Sequence, residues 1–255
     1  MTSEFNLFNF PILVLILAFP LFWAAAQIGW RLRERKVDQA RDDHDDLTFI
    51  LGGTLTLLGL IIGFTFSMAV SRYDQRKQYE EGEANAIGTE YLRADLLPAA
   101  DAAHVRELLR QYLVLRVQWY KARNWTPIAK LDSDTGELQN KLWSATRNAA
   151  LSQPGPIGAL AIAGMNDVIN AQGYAQAVWW NRIPLAAWIL LTLIAVFCNI
   201  QMGFTVRQRG AFLLLILPIA LSISLFLIAD IDSPRGGVIR VRPQNLESLV
   251  ASLPH

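Results

Sequence analysis

Cysteine is nearly missing from this sequence: Cys198 is the only one in 255 residues, and it sits in an apolar block. That excludes a disulfide framework and any CxxC metal or redox pair, and leaves a small apolar residue packed in a helix as its expected role. Histidine is scarce too. His44, His104 and His255 are scattered, none with a partner at zinc-ligand spacing. Glycine-rich phosphate loops, HExxH and GxSxG are absent, so no enzyme activity and no cofactor are expected. Apolar–polar alternation of useful length is missing, which argues against β-sheet. Charge is low, at 18% of residues with a formal net charge of +1, too balanced to suggest a nucleic-acid partner.

What is present is segregated. The 53% of residues that are hydrophobic concentrate in four blocks, 8–30, 49–70, 184–204 and 211–229, with charge dense between them. That is the pattern of a polytopic membrane protein, with the lipid bilayer as its first partner. The expected fold class is an all-α integral membrane protein of four transmembrane helices. Helices 2 and 3 extend into a helical extramembrane domain, 71–183, and a tail, 230–255, follows the last span. The first block is long enough to cross roughly 30 Å of hydrocarbon. Ala24-Ala25-Ala26 also fits a signal-peptide cleavage pattern, but no Lys or Arg precedes Phe8, so a spanning helix is expected. The loop that follows ends in Asp42-Asp43-His44-Asp45-Asp46. Carboxylates suit hard cations, yet the spaced ligands and glycine of a calcium loop are missing. A solvated acidic loop before a helix is the simpler expectation, and no metal site is assigned.

The second block organises the rest. Residues 49–70 carry no charge, and Arg72, Asp74, Arg76, Lys77, Glu80 and Glu81 then follow almost at once. No proline or turn cluster separates the two, so one helix is expected to cross the bilayer and continue into water. Gly52, Gly59 and Gly63 fall within about 40° of one another at 100° per residue, a bare helix-packing face with small-xxx-small spacing. Thr54, Thr56, Thr65, Ser67 and Ser71 can bond back to helix carbonyls or face a wet pathway.

Region 71–183 reads as helical throughout. Asp101 is the expected N-cap of a helix to about Arg123, with an apolar stripe of Val105, Leu108, Leu109, Tyr112, Leu115 and Trp119. A loop holding Pro127 and LDSDTGE precedes a shorter helix near 137–150, and Pro154-Gly155-Pro156 breaks the chain before a helix over 157–181. The short link TVRQRG makes the last two spans an antiparallel hairpin. Asp230 and Asp232 are placed as an acidic pair at the membrane exit. Four spans put both termini and 71–183 on one side. Near the membrane each side holds seven Lys/Arg, so charge alone leans only slightly, toward cytoplasmic short loops.

At the second helix a family resemblance enters. GFTFSMAVSRYDQRKQY, from Gly63 to Tyr79, resembles the pore-helix exit of bestrophin anion channels, and IDSPRGG at 231–237 is similar to the segment after their last membrane helix. FTFSMAVSRYD, EEGEANAIGTEYLRADLLP and DSPRGGVIRV together resemble more closely a family of bacterial, bestrophin-like membrane proteins. The resemblance implies a homopentamer in the bacterial inner membrane, with termini and 71–183 cytoplasmic. It also implies a chloride-type permeant anion and a pore lined by helix 2. Its neck positions become Thr56, Leu60 and Phe64, where polar Thr56 departs from the hydrophobic pattern, and Arg72 becomes a pore-mouth candidate. The alternative for Arg72 is interfacial snorkelling or pairing with Asp74, Asp230 or Asp232. The alternative function is a non-conducting sensor or scaffold whose domain 71–183, rich in residues such as Trp119, Trp125 and Trp143, binds a partner.

Overall fold

The computed structural model describes residues 9–34, 44–123, 126–152, 154–206 and 212–254. The acidic cluster 42–46 lies outside them apart from Asp46 and the backbone of residues 44 and 45, as do Arg207, Arg209 and Trp125. The described helices are α1 (Pro11–Glu34), α2 (His44–Arg93), α3 (Ala99–Lys121), α4 (Thr126–Ser152), α5 (Pro156–Trp180), α6 (Leu185–Thr205), α7 (Leu213–Asp232) and α8 (Gln244–Ser252). There is no strand among the described residues. Among the described residues four helical stretches are long and apolar enough to cross a membrane: α1, α2, the α5–α6 stretch and α7. Neither Pro20 nor Pro218 ends its helix.

The chain divides into two compact units. One holds Glu4–Arg72 and Arg182–Arg240; the other holds Tyr73–Asn181 and the C-terminal segment from Val241.

In the membrane unit α1 packs along both α6 and α7, while α6 and α7 touch each other much less. The hairpin partners are thus separated by the first span over most of their length. Its closest point is made by two glycines. A side-chain carbon on Gly29 would run into the Ile200 carbonyl, and one on Gly203 would run into the Ala26 carbonyl. Lipid tails are as apolar as side chains, so membrane helices gain from close backbone approach, which only small residues permit. Cys198 of α6 is fully buried. The second span is tied in by Thr54, whose hydroxyl donates to Gln201 Oε1 at 2.7 Å.

In the helical unit α3, α4 and α5 share one core, with Leu109, Tyr112, Leu142, Met165 and Val168 fully buried. Trp119 meets Tyr120 and Trp179 edge-on, with ring centroids 5.1 and 4.8 Å away. Two expectations change here. LDSDTGE is helix, since α4 begins at Thr126 with Pro127 in its first turn, where its missing N–H costs no intrahelical bond. Trp119 donates its indole N–H to Asp132 at 2.8 Å, and the Thr135 hydroxyl donates to the Leu131 carbonyl at 2.6 Å, so tertiary and local bonds hold a segment whose composition suggests a loop. Asp101 does not cap α3, which already starts at Ala99; it lies in the first turn, where its charge suits the helix N-terminus.

Candidate functional site

α2 is one uninterrupted helix with two contrasting faces. Leu58, Thr65, Ala69, Arg76, Glu80, Glu83, Ile87 and Glu90 are buried, and Arg72 is half-buried. Their directions span about 80° at 100° per residue. On the opposite side Thr56, Leu60, Phe64, Ser67, Ser71, Asp74, Gln78, Asn85 and Leu92 are exposed. Leu60 is 54% exposed and Phe64 65%, high values for large apolar residues. Side-chain carbons added at Gly52, Gly59 or Gly63 would meet nothing within 4 Å, so these glycines border open space along this single chain. The hydroxyls of Thr56 and Thr65 donate back to the carbonyls of Gly52 and Ile61, at 2.9 and 2.8 Å.

Behind the membrane part of α2 the charges form a knot. Asp232, fully buried in the last turn of α7, lies 3.8 Å from Arg72 Nη1 and 3.3 Å from Arg182 Nε. It also accepts the Ile183 N–H at 3.2 Å, while Arg182 reaches Asn9 Oδ1. Asp230 accepts the N–H groups of Val238 and Ile239 at 2.7 and 2.8 Å, and so folds the tail back over the helix end. A carbon on Gly236 would strike the Asn9 carbonyl and one on Gly237 the Asp230 carbonyl, which accounts for the glycine pair in SPRGG. Both aspartates therefore lie inside α7, not beyond it, and each has a defined partner. Of the alternatives open for Arg72, pairing with Asp232 is the one present. Arg72 points about 120° away from Leu60.

In the helical unit the buried face of α2 continues as carboxylates. Glu83 accepts from Arg116, and Tyr120 donates its hydroxyl to it at 3.0 Å; both members of the Glu83–Arg116 pair are fully buried. Burial alone would lower the Arg116 pKa, but the adjacent Glu83 carboxylate outweighs it and holds the guanidinium above its ordinary value. Burial and then Glu83 raise the hydroxyls of Tyr112 and Tyr120. Glu80 accepts the N–H groups of Asn245 and Leu246, both at 3.0 Å, and the Asn245 side-chain amide at 2.7 Å. Pro243 provides no side-chain cap to α8, so Glu80 caps that helix from a distance. Glu90 is fully buried with neither oxygen hydrogen-bonded among the described residues. It lies against Gly164, where a side-chain carbon would collide with it and with Arg93. Burial, with nearby Arg93 lowering and Asp167 raising, pushes its carboxyl up to about 8.

The structure thus brings Thr56, Leu60 and Phe64 onto one open row, sets Gly52, Gly59 and Gly63 beside it, and draws Arg72, Asp230 and Asp232 away behind it. Glu83, Glu90 and Arg116 were not singled out from sequence. One signal could have found the glutamates. Continuing the phase of Leu58, Thr65 and Ala69 along α2 lands on residues 72, 76, 80, 83, 87 and 90.

Four apolar helical stretches, a membrane unit and a helical unit joined through a fifty-residue helix define a multi-pass, all-α membrane protein. A family model for the bestrophin-like domain matches residues 19–246, and the chain belongs to that family. Among solved structures it is similar to a bacterial bestrophin homolog from Klebsiella pneumoniae. The structure phased with zinc shows 13% identity and a TM-score of 0.63, covering 94% of this chain and 99% of that one. A leucine-to-threonine variant of the homolog gives 11% and 0.64, covering 93% and 96%. A tryptophan-to-alanine variant gives 13% and 0.63, covering 93% and 97%. At this identity the likeness is one of fold. No curated protein sequence matches the chain.

Proposed function

We propose that this bestrophin-like membrane protein is an oligomeric ion channel whose pore is lined by the exposed face of α2. One observation carries the reading: a single chain leaves that face open along a fifty-residue helix, apolar at Leu60 and Phe64 and polar beyond, with Arg72, Arg76, Glu80, Glu83 and Glu90 turned to the other side. In a symmetric ring Thr56, Leu60 and Phe64 repeat as layers one helical turn apart, and the last two narrow the path and exclude water. Gly52, Gly59 and Gly63 let neighbouring copies approach closely. The family resemblance adds a pentamer in a bacterial inner membrane, cytoplasmic termini and a chloride-type permeant anion. Arg72 is assigned to anchoring α2 through Asp232 rather than to the mouth.

Liposomes holding the full-length protein test this. The protein should run as an oligomer in mild detergent and pass ions, and Phe64→Ala should raise the flux at least several-fold by widening the dry constriction. A monomer or dimer refutes the pore. An intact oligomer that passes nothing in either form favours the non-conducting scaffold instead. For that role the helical unit offers an open groove of about 340 Å³, lined in part by Arg147, Leu151, Ile162 and Asn166.

A further inference from the structure

We propose that the strap after the last span, residues 236–242, docks on a leaflet of anionic phospholipid. Val238 and Ile239 enter the boundary of the acyl chains, while Arg240 and Arg242 take the headgroup phosphates. The inference needs the four spans but no pore.

Three helix ends of the membrane unit fix the level of the strap. α1 starts just after Asn9, α6 starts just after Ile183, and α7 ends at Asp232. One cluster ties them together: Asp232 accepts from Arg182 and from the Ile183 N–H, and Arg182 donates to Asn9. At these ends apolar helix gives way to polar chain, so they mark one rim of the hydrocarbon. The strap is pinned to the same rim. The Asp230 carboxylate, in the last turn of α7, holds the N–H groups of Val238 and Ile239. Gly236 lies so close to Asn9 that an added carbon would meet its carbonyl.

With their backbone fastened in this way, the two apolar side chains stay outside the packing: Val238 is 77% exposed and Ile239 40%. Single exposed apolar residues are ordinary on a surface facing water. Two in succession at the level of the lipid boundary are placed to enter it. The charge around them has one sign. Residues 233–243 contain Arg235, Arg240 and Arg242 and no acid. Arg240 is half-buried and Arg242 exposed, and neither guanidinium has a hydrogen bond or ion pair among the described residues. The acids that flank the segment in sequence are engaged elsewhere. Asp230 holds the strap's own amides, Asp232 faces Arg72 and Arg182, and Glu247 pairs with Lys121 at 2.5 Å. Uncompensated positive charge beside exposed apolar carbon suits a leaflet rich in phosphate anions, where each arginine strengthens the attraction about fivefold. Asp230 has already ordered the backbone, so docking freezes little further chain.

The test places a fluorophore on the strap of the full-length protein through Val238→Cys, since Cys198 is buried and shielded from the label. The protein is reconstituted in equal parts of phosphatidylcholine and phosphatidylglycerol, with bromine on the acyl chains of one lipid and then of the other. Both should quench the fluorophore, and brominated phosphatidylglycerol should do so at least about threefold more strongly. Arg240→Gln with Arg242→Gln should bring the two lipids to near equality. Quenching by neither lipid overturns the proposal, whether water or a second copy of the chain covers the strap. Equal quenching with both arginines present also overturns it, because the strap then does not select anionic lipid. If the arginine variant fails to assemble, salt at about 1 M replaces it, where the Debye length is about 3 Å. A preference that outlasts removal or screening of the two charges overturns their role. No ion flux enters the measurement, so a failure of the pore reading leaves its outcome untouched.

Discussion

Glu83→Ala should be the most damaging single truncation on α2. It removes a carboxylate that accepts from Arg116 and from the Tyr120 hydroxyl, in a site where both charged partners are fully buried. The stranded Arg116 guanidinium would stay among aromatic rings, its carbon 4.6 Å from the Trp119 centroid. Breaking a buried pair from one side costs about 3–5 kcal/mol, because the remaining charge has no solvent to return to. The orphaned Tyr120 hydroxyl adds about 1 kcal/mol. For a chain of this size that sum lowers the melting temperature by roughly 10–20 °C. Thermal unfolding of the full chain in detergent, followed by tryptophan fluorescence, reads it directly, since Trp119 and Trp179 both meet Tyr120 edge-on. Replacing both partners with apolar residues of similar size, Glu83→Leu with Arg116→Met, should restore stability to within about 2 kcal/mol of wild type. A Glu83→Ala protein that melts within about 2 °C of wild type would refute the account, because that corresponds to less than the value of one ordinary hydrogen bond.

Two further perturbations act elsewhere. The folded chain binds the Glu90 proton more tightly than the unfolded chain, which has its ordinary value of 4.5. Its contribution to stability is therefore full below pH 4.5, falls as pH rises, and levels off above about 8. Glu90→Gln should flatten that part of the pH–stability curve and raise stability at pH 8, measured by denaturant unfolding; an unaltered slope between pH 5 and 8 would sink the assignment. In the membrane unit Gly203→Ala places a carbon against the Ala26 carbonyl. It should cost about 2–3 kcal/mol or more, because backbone cannot yield as a side chain does, and Gly63→Ala, facing open space, should leave the monomer unaffected in the same melting assay.

Legibility followed the range of the forces involved. The four spans could be read directly, since about twenty apolar residues in a row must leave water whatever surrounds them. The continuation of α2 past Ser71 was legible for a similar reason, as no breaker interrupts it. LDSDTGE was not. Its composition suggests a loop, and only Trp119, from the preceding helix, gives Asp132 a reason to be helical. The charges of α2 were legible as residues but not as roles. From its type and place Arg72 could face a pore mouth, snorkel to the interface or pair with an acidic neighbour; Asp232, 160 residues later, is the group brought beside it.

By itself the sequence determined that this is an all-α membrane protein of four spans, and that a long second helix leaves the bilayer with Leu60 and Phe64 on one row. Hydrophobic periodicity and backbone geometry act over a few turns, so they are written locally. Only the tertiary structure decided which side of that helix is inside. A carboxylate or guanidinium is silent about its surroundings until a distant segment desolvates it and supplies a partner. That is what Asp232 does for Arg72 and Arg116 for Glu83, whereas Gly164 desolvates Glu90 without giving it a partner. With those charges drawn inward, Leu60 and Phe64 remain exposed on the open row.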